Sequence, residues 1–211
     1  MWKPRDRAAA LKPLVFLVCL APIAWMLWRL LNSDLGADPV AELEHRSGDW
    51  ALRFLLITLA MTPLRRLTGW AQWIRFRRML GLFVFFYASL HLAVYLSLDL
   101  QGLWTQIFAE IIKRPYITVG FSAWLLLLPL TITSTKGMMR RLGRNWGRLH
   151  KLVYLIGVLA VLHFYWLVKK DVREPLIYAV VLTVLFALRL PWKRWLTTAK
   201  PVASPSVVLR N

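Results

Sequence analysis

Six stretches of mainly apolar residues follow one another along the chain, separated by short charged segments. They cover residues 14–31, 47–64, 79–98, 115–135, 152–168 and 175–188. A helix that spans a membrane needs about 20 predominantly apolar residues. The third and fourth stretches contain no charged residue, and the arginines near the ends of the second and sixth can extend to the membrane surface. The pattern predicts an all-α integral membrane protein with six transmembrane helices; five or seven spans are the alternatives.

The composition agrees with a membrane protein. Of the 211 residues, 58% are apolar and 12 are tryptophan, whereas soluble domains contain about 45–50% apolar residues. The net charge of +18 would suggest nucleic-acid binding in a soluble protein, but the segments between the apolar stretches are too short to form a nucleic-acid-binding domain. The single cysteine, Cys19, excludes an internal disulfide and a cysteine-ligated iron–sulfur cluster.

Basic and acidic residues alternate between the connecting segments. Lysine and arginine concentrate before the first stretch, between the second and third, between the fourth and fifth, and after the sixth, while most acidic residues lie in the other segments. Basic segments stay in the cytoplasm, so both termini are predicted to be cytoplasmic, which agrees with an even number of spans. The chain then divides into a cytoplasmic N-terminus (1–13), a transmembrane domain (14–192) and a basic cytoplasmic tail (193–211).

Two of the four histidines, His91 and His163, lie inside predicted spans. Each lies twelve residues after the cytoplasmic start of its span, near Met79 and Lys151, which is about 18 Å along a helix. Two helices that run in the same direction thus present imidazoles at one depth. Ionisable residues inside a membrane are functional candidates, and imidazole is a good iron ligand. This placement predicts axial ligation of a haem iron between helices 3 and 5; hydrogen bonding to a neighbouring helix is the alternative.

Further candidate cofactor-binding residues lie at the cytoplasmic ends of the same two spans. His150 stands thirteen residues before His163, a spacing that turns the two imidazoles about 140° apart on an ideal helix. The matching depth on the third span holds Arg77 and Arg78, and arginine is not a haem ligand. His150 therefore either binds a second haem with an unusual partner or caps its helix. The two arginines either pair with haem propionates or a flavin phosphate, or only orient the span.

The fourth histidine, His45, falls in an acidic periplasmic loop and is predicted to be solvated. The sequence contains no G-x-G-x-x-G, P-loop, H-E-x-x-H or G-x-S-x-G motif, each of which would mark a soluble catalytic or nucleotide site. Any nicotinamide chemistry must therefore belong to another chain. The protein is predicted to be an electron-transfer subunit rather than an enzyme.

Several short sequences, taken together in their order and spacing, resemble the ferric-reductase-like transmembrane domain family. They are Leu35–Val40, Thr62–Leu64, Arg77–Leu82, Leu90–Leu92, Lys113–Gly120, Thr133–Thr135 and the segment from Trp146 through Leu149, His150 and Tyr154 to His163. Within the family, they are most similar to the haem-binding membrane subunits of methionine-sulfoxide reductase systems. The similarity extends over nearly the whole chain except the tail.

The resemblance implies haem b held by His91 and His163, with His150 also implicated in haem binding, and FMN as a second cofactor. It implies a protein of the bacterial inner membrane that takes electrons from the quinone pool or a flavin reductase. The acceptor would be a periplasmic molybdopterin-containing catalytic subunit that repairs methionine sulfoxide in envelope proteins. Unlike the NADPH oxidases and ferric reductases, the sequence has one histidine on the third span and no flavin/NADPH domain, which implies an external donor.

Two other functions are open alternatives. A stand-alone ferric or cupric reductase is possible in principle, although the missing nicotinamide domain counts against it. A transporter would use the histidines as a proton relay. It would be expected to show broken helices, carboxylates deep in the spans and an internal repeat, and none of these is evident in the sequence.

Overall fold

The computed structural model describes residues 4–100, 104–168 and 171–190, and in this part of the chain all regular structure is helical. The helices are α1 (Pro4–Leu31), α2 (Pro39–Thr68), α3 (Trp73–Val94), α4 (Trp104–Lys113), α5 (Pro115–Ile132), α6 (Lys136–Leu142), α7 (Arg144–Leu149), α8 (Leu152–Leu167) and α9 (Arg173–Ala187). A π-helical turn, Tyr95–Asp99, extends α3. The predicted all-α architecture is confirmed. The predicted basic tail lies outside the described residues.

Within the described residues, four helical segments are long and apolar enough to cross a membrane. They are Ala9–Leu31, Trp73–Asp99, Pro115–Ile132 and Arg144–Leu167, and they correspond to the first, third, fourth and fifth predicted spans. Helix α2 has 30 residues, but Asp49, Arg53 and the arginines of its last turn make it less apolar. The described part of α9 has only 15 residues. Six spans therefore stay a prediction.

Two antiparallel helix pairs form the centre of the molecule, α2 with α3 and α5 with α8. Asp38 caps α2 by accepting a hydrogen bond from the Ala41 N–H at 3.0 Å, which satisfies a donor that the helix leaves free. Gly69 ends α2 in the left-handed conformation, with φ 68°, so that the chain can turn directly into α3. Leu59, Tyr87 and Ile156 are almost completely buried in the core of the bundle.

Three of the predicted loops contain helix. The expectation that His45 lies in a loop is wrong, because α2 already begins at Pro39; the His45 side chain is nevertheless exposed. The ion pair Glu42–Arg46 lies before the apolar stretch and the pair Asp49–Arg53 near its start, and both have the i, i+4 spacing that stabilises a helix. The loop predicted after the third span contains α4, and the one after the fourth span contains α6 and α7.

The bundle has two chemically different ends. At the acidic end, α2 begins and α3 and α8 end, and Glu44, Asp49 and Asp99 lie there. At the basic end, α2 ends and α3 and α8 begin. This end carries Arg65, Arg66, Arg75, Arg77, Arg78, Arg148 and Lys151.

Tyr87 joins α1 to the rest of the bundle. Its buried hydroxyl donates to the Cys19 carbonyl oxygen at 2.8 Å and accepts from the Ile23 N–H at 3.2 Å. These two backbone groups are four residues apart, so the hydroxyl is inserted into one turn of α1, beside Pro22, a residue that weakens helical hydrogen bonding. Most of α1 is otherwise exposed, so this hydroxyl is an important attachment.

Candidate functional site

The two imidazoles that the sequence places at one depth lie side by side. The ring centroids of His91 and His163 are 6.1 Å apart, and the ring planes are inclined by 75°. His163 lies four positions before Leu167, where α8 ends, which is about 6 Å along the helix axis. The pair is therefore close to the acidic end of the bundle.

A backbone carbonyl orients each imidazole. The His91 Nδ1 is 2.9 Å from the carbonyl oxygen of Glu44, and the His163 Nδ1 is 2.6 Å from that of Tyr116. Since a carbonyl oxygen only accepts hydrogen bonds, Nδ1 carries the proton in both rings and Nε2 keeps its lone pair. This tautomer and orientation are the ones in which histidine binds a metal ion through Nε2.

A glycine packs against each ring. A Cβ atom added at Gly120 would lie 2.6 Å from Nδ1 of His163, and one added at Gly48 would lie 3.2 Å from Nδ1 of His91. Contacts below 3.0 Å are essentially never made by real Cβ atoms, so any larger residue at position 120 must displace the imidazole. Position 48 is less restrictive.

The two halves of this site repeat each other along the sequence. Glu44 corresponds to Tyr116, Gly48 to Gly120 and His91 to His163, and the two members of each pair are 72 positions apart. The residues that line the cavity around the imidazoles follow the same offset, except Leu96, Asp99, Ile111 and Arg114. The pairs α2–α3 and α5–α8 therefore present equivalent positions to the cavity twice, although only some of these, such as the glycines and the histidines, carry the same residue type. The sequence alone does not make this positional repeat evident.

The imidazoles line a cavity of about 520 Å³ between α2, α3, α5 and α8, a volume typical of pockets for small molecules and cofactors. Its inner wall is apolar and includes Leu55, Val84, Leu127, Ile156 and Ala160. Its mouth, at the acidic end, includes Glu44, Asp49, Tyr95, Asp99 and Arg114.

Charges at the mouth are partly balanced. The Arg114 Nε lies 2.6 Å from a carboxylate oxygen of Glu110. Burial raises the pKa of the Glu44 carboxyl above its usual value, and the neighbouring Asp99 carboxylate raises it further. The mouth thus combines an arginine that is paired with a carboxylate and a carboxyl group, Glu44, whose ionisation is opposed by burial.

The geometry fits an iron porphyrin. Two imidazoles on opposite sides of one metal ion, each bonded at about 2 Å, have ring centres about 6 Å apart, which agrees with the observed 6.1 Å. The apolar wall suits the faces of a porphyrin. At the mouth, Arg114 and Tyr95 are the groups suited to its carboxylates, whereas Glu44, Asp49 and Asp99 are not. The Tyr95 hydroxyl is buried at this mouth and has no hydrogen-bond partner within the described residues, so it is free to bind a polar group of a ligand.

His150 lies outside this cavity, where α7 meets α8. Its Nδ1 is 3.1 Å from the Trp146 carbonyl oxygen, and its ring stacks on the Trp146 indole with centroids 3.9 Å apart. The buried Nε2 meets no partner at full hydrogen-bond geometry among the described residues, but the Leu130 carbonyl lies near the ring. The structure thus places His150 at the basic end, separate from His91 and His163.

Two arginines lie near His150. Arg77 is within electrostatic range of both His150 and Arg189. Arg189 donates to the Leu59 carbonyl and, at 2.7 Å, to the Tyr154 hydroxyl, but its buried Nε has no acceptor. Among the described residues no carboxylate pairs with either arginine. These groups, the basic-end cluster of Arg77, His150 and Arg189, are suited to an anion.

Arg78 does not belong to the basic-end cluster. Successive residues on a helix point about 100° apart, and Arg78 instead lines a separate groove with Lys12 and Arg75. The structure therefore separates two arginines that the sequence groups together.

Sequence reasoning missed Gly48, Gly120, Tyr95 and Arg189. The constant offset of 72 positions, applied to the two histidines, would have indicated the two glycines. Nothing in the sequence distinguishes Tyr95 or Arg189 from the other interfacial aromatic and basic residues.

Comparison with known proteins identifies the family. The model of the family described as ferric reductase like transmembrane component matches residues 47–161. The chain is 66% identical to a protein of Xanthomonas euvesicatoria pv. vesicatoria over 92% of its length and 91% of the relative. It is 63% identical to one of Xanthomonas campestris pv. campestris over the full length of both, and 51% identical to one of Rhodospirillum rubrum over 89% and 90%. All three relatives are named protein-methionine-sulfoxide reductase heme-binding subunit MsrQ. The chain belongs to the ferric-reductase-like transmembrane family and, within it, to the MsrQ proteins.

Proposed function

We propose that this protein binds haem b between α3 and α8 and passes electrons to a catalytic subunit that reduces methionine sulfoxide. The observation that carries the proposal is the facing pair of imidazoles at 6.1 Å, each with Nδ1 bound to a carbonyl and Nε2 left for a metal ion. The names of the MsrQ relatives, which describe heme-binding subunits, support it.

The residues of the chain would hold and insulate the cofactor. Bound haem supplies one-electron redox chemistry. The carbonyls of Glu44 and Tyr116 fix the tautomer and orientation of the two imidazoles, so that each ring keeps the lone pair of Nε2 for a metal ion. Gly48 and Gly120 allow the helices to approach the rings. The apolar wall excludes water, which lowers the local dielectric constant.

The proposed arrangement in the membrane has six spans, with α2 and α9 crossing as well as the four most apolar segments. The basic end faces the cytoplasm and the acidic end the periplasm of a bacterial inner membrane, as the distribution of lysine and arginine favours. Electrons then enter from the quinone pool or a flavin reductase and leave towards a periplasmic molybdopterin-containing subunit. The protein itself would be a carrier and not the catalytic subunit.

The basic-end cluster is the proposed position of a further cofactor. Arg77 and Arg189 provide cationic donors for a phosphate or carboxylate, and the His150 ring, which the Trp146 and Leu130 carbonyls approach, lies near Arg77. FMN, through its phosphate, and a second haem, through its propionates and His150, both fit this chemistry. Either would place a redox group on the side where electrons enter.

We expect the purified protein to show a b-type haem spectrum. Bis-imidazole ligation of one porphyrin predicts a reduced spectrum with sharp α and β bands. It also predicts a haem-to-protein ratio of about one, or about two if the basic-end cluster holds a second haem. The measurement is pyridine haemochrome analysis combined with iron and protein determination. A colourless preparation from cells supplied with a haem precursor would refute the proposal and favour the transporter.

Removing charge from the basic-end cluster should slow electron input. In Arg77→Gln, a neutral side chain no longer attracts an anionic donor or cofactor phosphate, so haem reduction by menaquinol or reduced FMN should slow several-fold at unchanged haem content. Stopped-flow spectroscopy measures the rate. Arg140→Gln, an exposed arginine of α6 at the same end, is the matched control. Equal rates in wild type and Arg77→Gln would mean that Arg77 only helps to orient its helix in the membrane.

Transfer at the acidic end should depend on ionic strength. The mouth combines carboxylates with Arg114, and mixed charges steer transient partners more than they bind them. Reoxidation of the reduced haem by the molybdopterin subunit should slow as salt increases, because the encounter is screened. If that subunit never oxidises the haem at low salt while ferric chelates do so quickly, the protein is a stand-alone ferric reductase instead.

A further inference from the structure

A groove between α1 and α3 at the basic end belongs to neither of the sites above. It has a volume of about 250 Å³ and is lined by Lys12, Arg75, Arg78, Met79 and Leu82. The four residues from α3 have helical spacing of three or four positions, so they share one face of that helix. Lys12 faces them from α1.

The groove changes from charged to apolar along α3. Arg75 and Arg78 lie near the start of the helix, and Leu82 lies about 6 Å beyond Arg78, inside the apolar stretch. A phospholipid at a membrane boundary has the same order, with its phosphate outside its acyl chains. Basic pockets between transmembrane helices on the cytoplasmic side bind anionic headgroups for this reason.

The attachments of α1 leave a place for such a ligand. At the acidic end, Arg29 pairs with Glu42 at 3.0 Å, and in the middle the Tyr87 hydroxyl is bound within one turn. At the basic end, by contrast, Lys12 faces two arginines. In the part of the chain that the structure describes, no carboxylate lines this groove, so like charges face each other across it.

We propose that this groove binds the headgroup of an anionic phospholipid, such as phosphatidylglycerol or cardiolipin, which fastens α1 to α3 at the basic end. The phosphate would offset the repulsion between Lys12 and Arg78, and the first part of an acyl chain would lie on Met79 and Leu82. The proposal rests on the basic end facing the cytoplasmic leaflet, and it is independent of haem binding.

The test is native mass spectrometry of the full-length protein after purification in a mild detergent and incubation with phosphatidylglycerol, cardiolipin or phosphatidylcholine. The variant is Lys12→Gln with Arg78→Gln, and the matched control is Arg140→Gln with Arg141→Gln, two exposed residues of α6 at the same end. Wild type and control should retain anionic lipid and gain thermal stability from it over phosphatidylcholine. The groove variant should lose most of both effects.

Three results would overturn the proposal. The first is a groove variant that retains as much anionic lipid as wild type. The second is a control that loses as much lipid as the groove variant, which would mean general attraction to the basic end. The third is stabilisation of wild type by inorganic phosphate as large as that by the lipid, which would mean a small-anion site. If the double variant fails to insert, Lys12→Gln alone, at an exposed position of α1, tests the same groove.

Discussion

Replacing both His91 and His163 by alanine is expected to abolish haem incorporation while the protein still inserts into the membrane. The two side chains are the proposed axial ligands, and without them only apolar packing would hold a porphyrin. Each single variant should lose most of the haem as well, because one imidazole cannot replace the bond made from the opposite face. The measurement is the dithionite-reduced spectrum, normalised to the protein that membrane fractionation recovers.

The control for this prediction is His45→Ala. His45 lines the mouth of the cavity but is exposed and belongs to neither helix that carries the imidazole pair, so its removal should leave the spectrum unchanged. A double variant of His91 and His163 with the wild-type spectrum would show that the haem is held elsewhere, and His150 would be the next candidate ligand.

The second large effect is expected from Gly120→Ala. The added methyl group would lie 2.6 Å from Nδ1 and 2.8 Å from Cε1 of His163, so the ring must shift and lengthen its hydrogen bond to the Tyr116 carbonyl. Overpacking of this kind typically costs about 1–3 kcal/mol, and loss of an orienting hydrogen bond lowers metal affinity about 10–100-fold. We therefore expect a large loss of haem affinity, with a changed reduced spectrum in what remains.

Substitutions at two further glycines provide comparisons for the size of this effect. Gly48→Ala should have a smaller effect, because its nearest approach is 3.2 Å to His91. Gly81→Ala, in α3, would meet only the Thr58 methyl at 3.9 Å and should bind haem as wild type does. Titration of the apoproteins with haemin measures all three. Gly120→Ala with wild-type haem affinity and spectrum would contradict a role for this glycine in positioning His163.

The sequence was sufficient to predict those features that depend on hydropathy and on distance along a helix. Long apolar stretches predict helices because the membrane leaves the backbone no other hydrogen-bond partners. The equal depth of His91 and His163 follows from a fixed rise per residue, and the structure does place the rings together. Whether they bind iron stays a proposal, which the variants above test.

Features that depend on caps, on helix rotation or on close packing could not be predicted in the same way. The start of α2 at Pro39 depends on Asp38 as a cap and on ion pairs beyond the apolar stretch, so His45 was misplaced in a loop. Arg77 and Arg78 are adjacent in sequence, but their side chains point in different directions around the helix axis and therefore line different sites. The fit of Gly120 against His163 joins residues 43 positions apart, and only the fold brings them into contact.

The 72-position repeat has a consequence for how the protein is made. Each helix pair offers one imidazole, so the cofactor pocket resembles the interface of a dimer whose two protomers happen to be covalently joined. A nascent chain that has delivered only α2 and α3 to the membrane would present a half-site with a single ligand. If His91 and His163 are the ligands, as proposed, capture of the cofactor would wait until α8 is in place, and bonds from both imidazoles would then join the two halves.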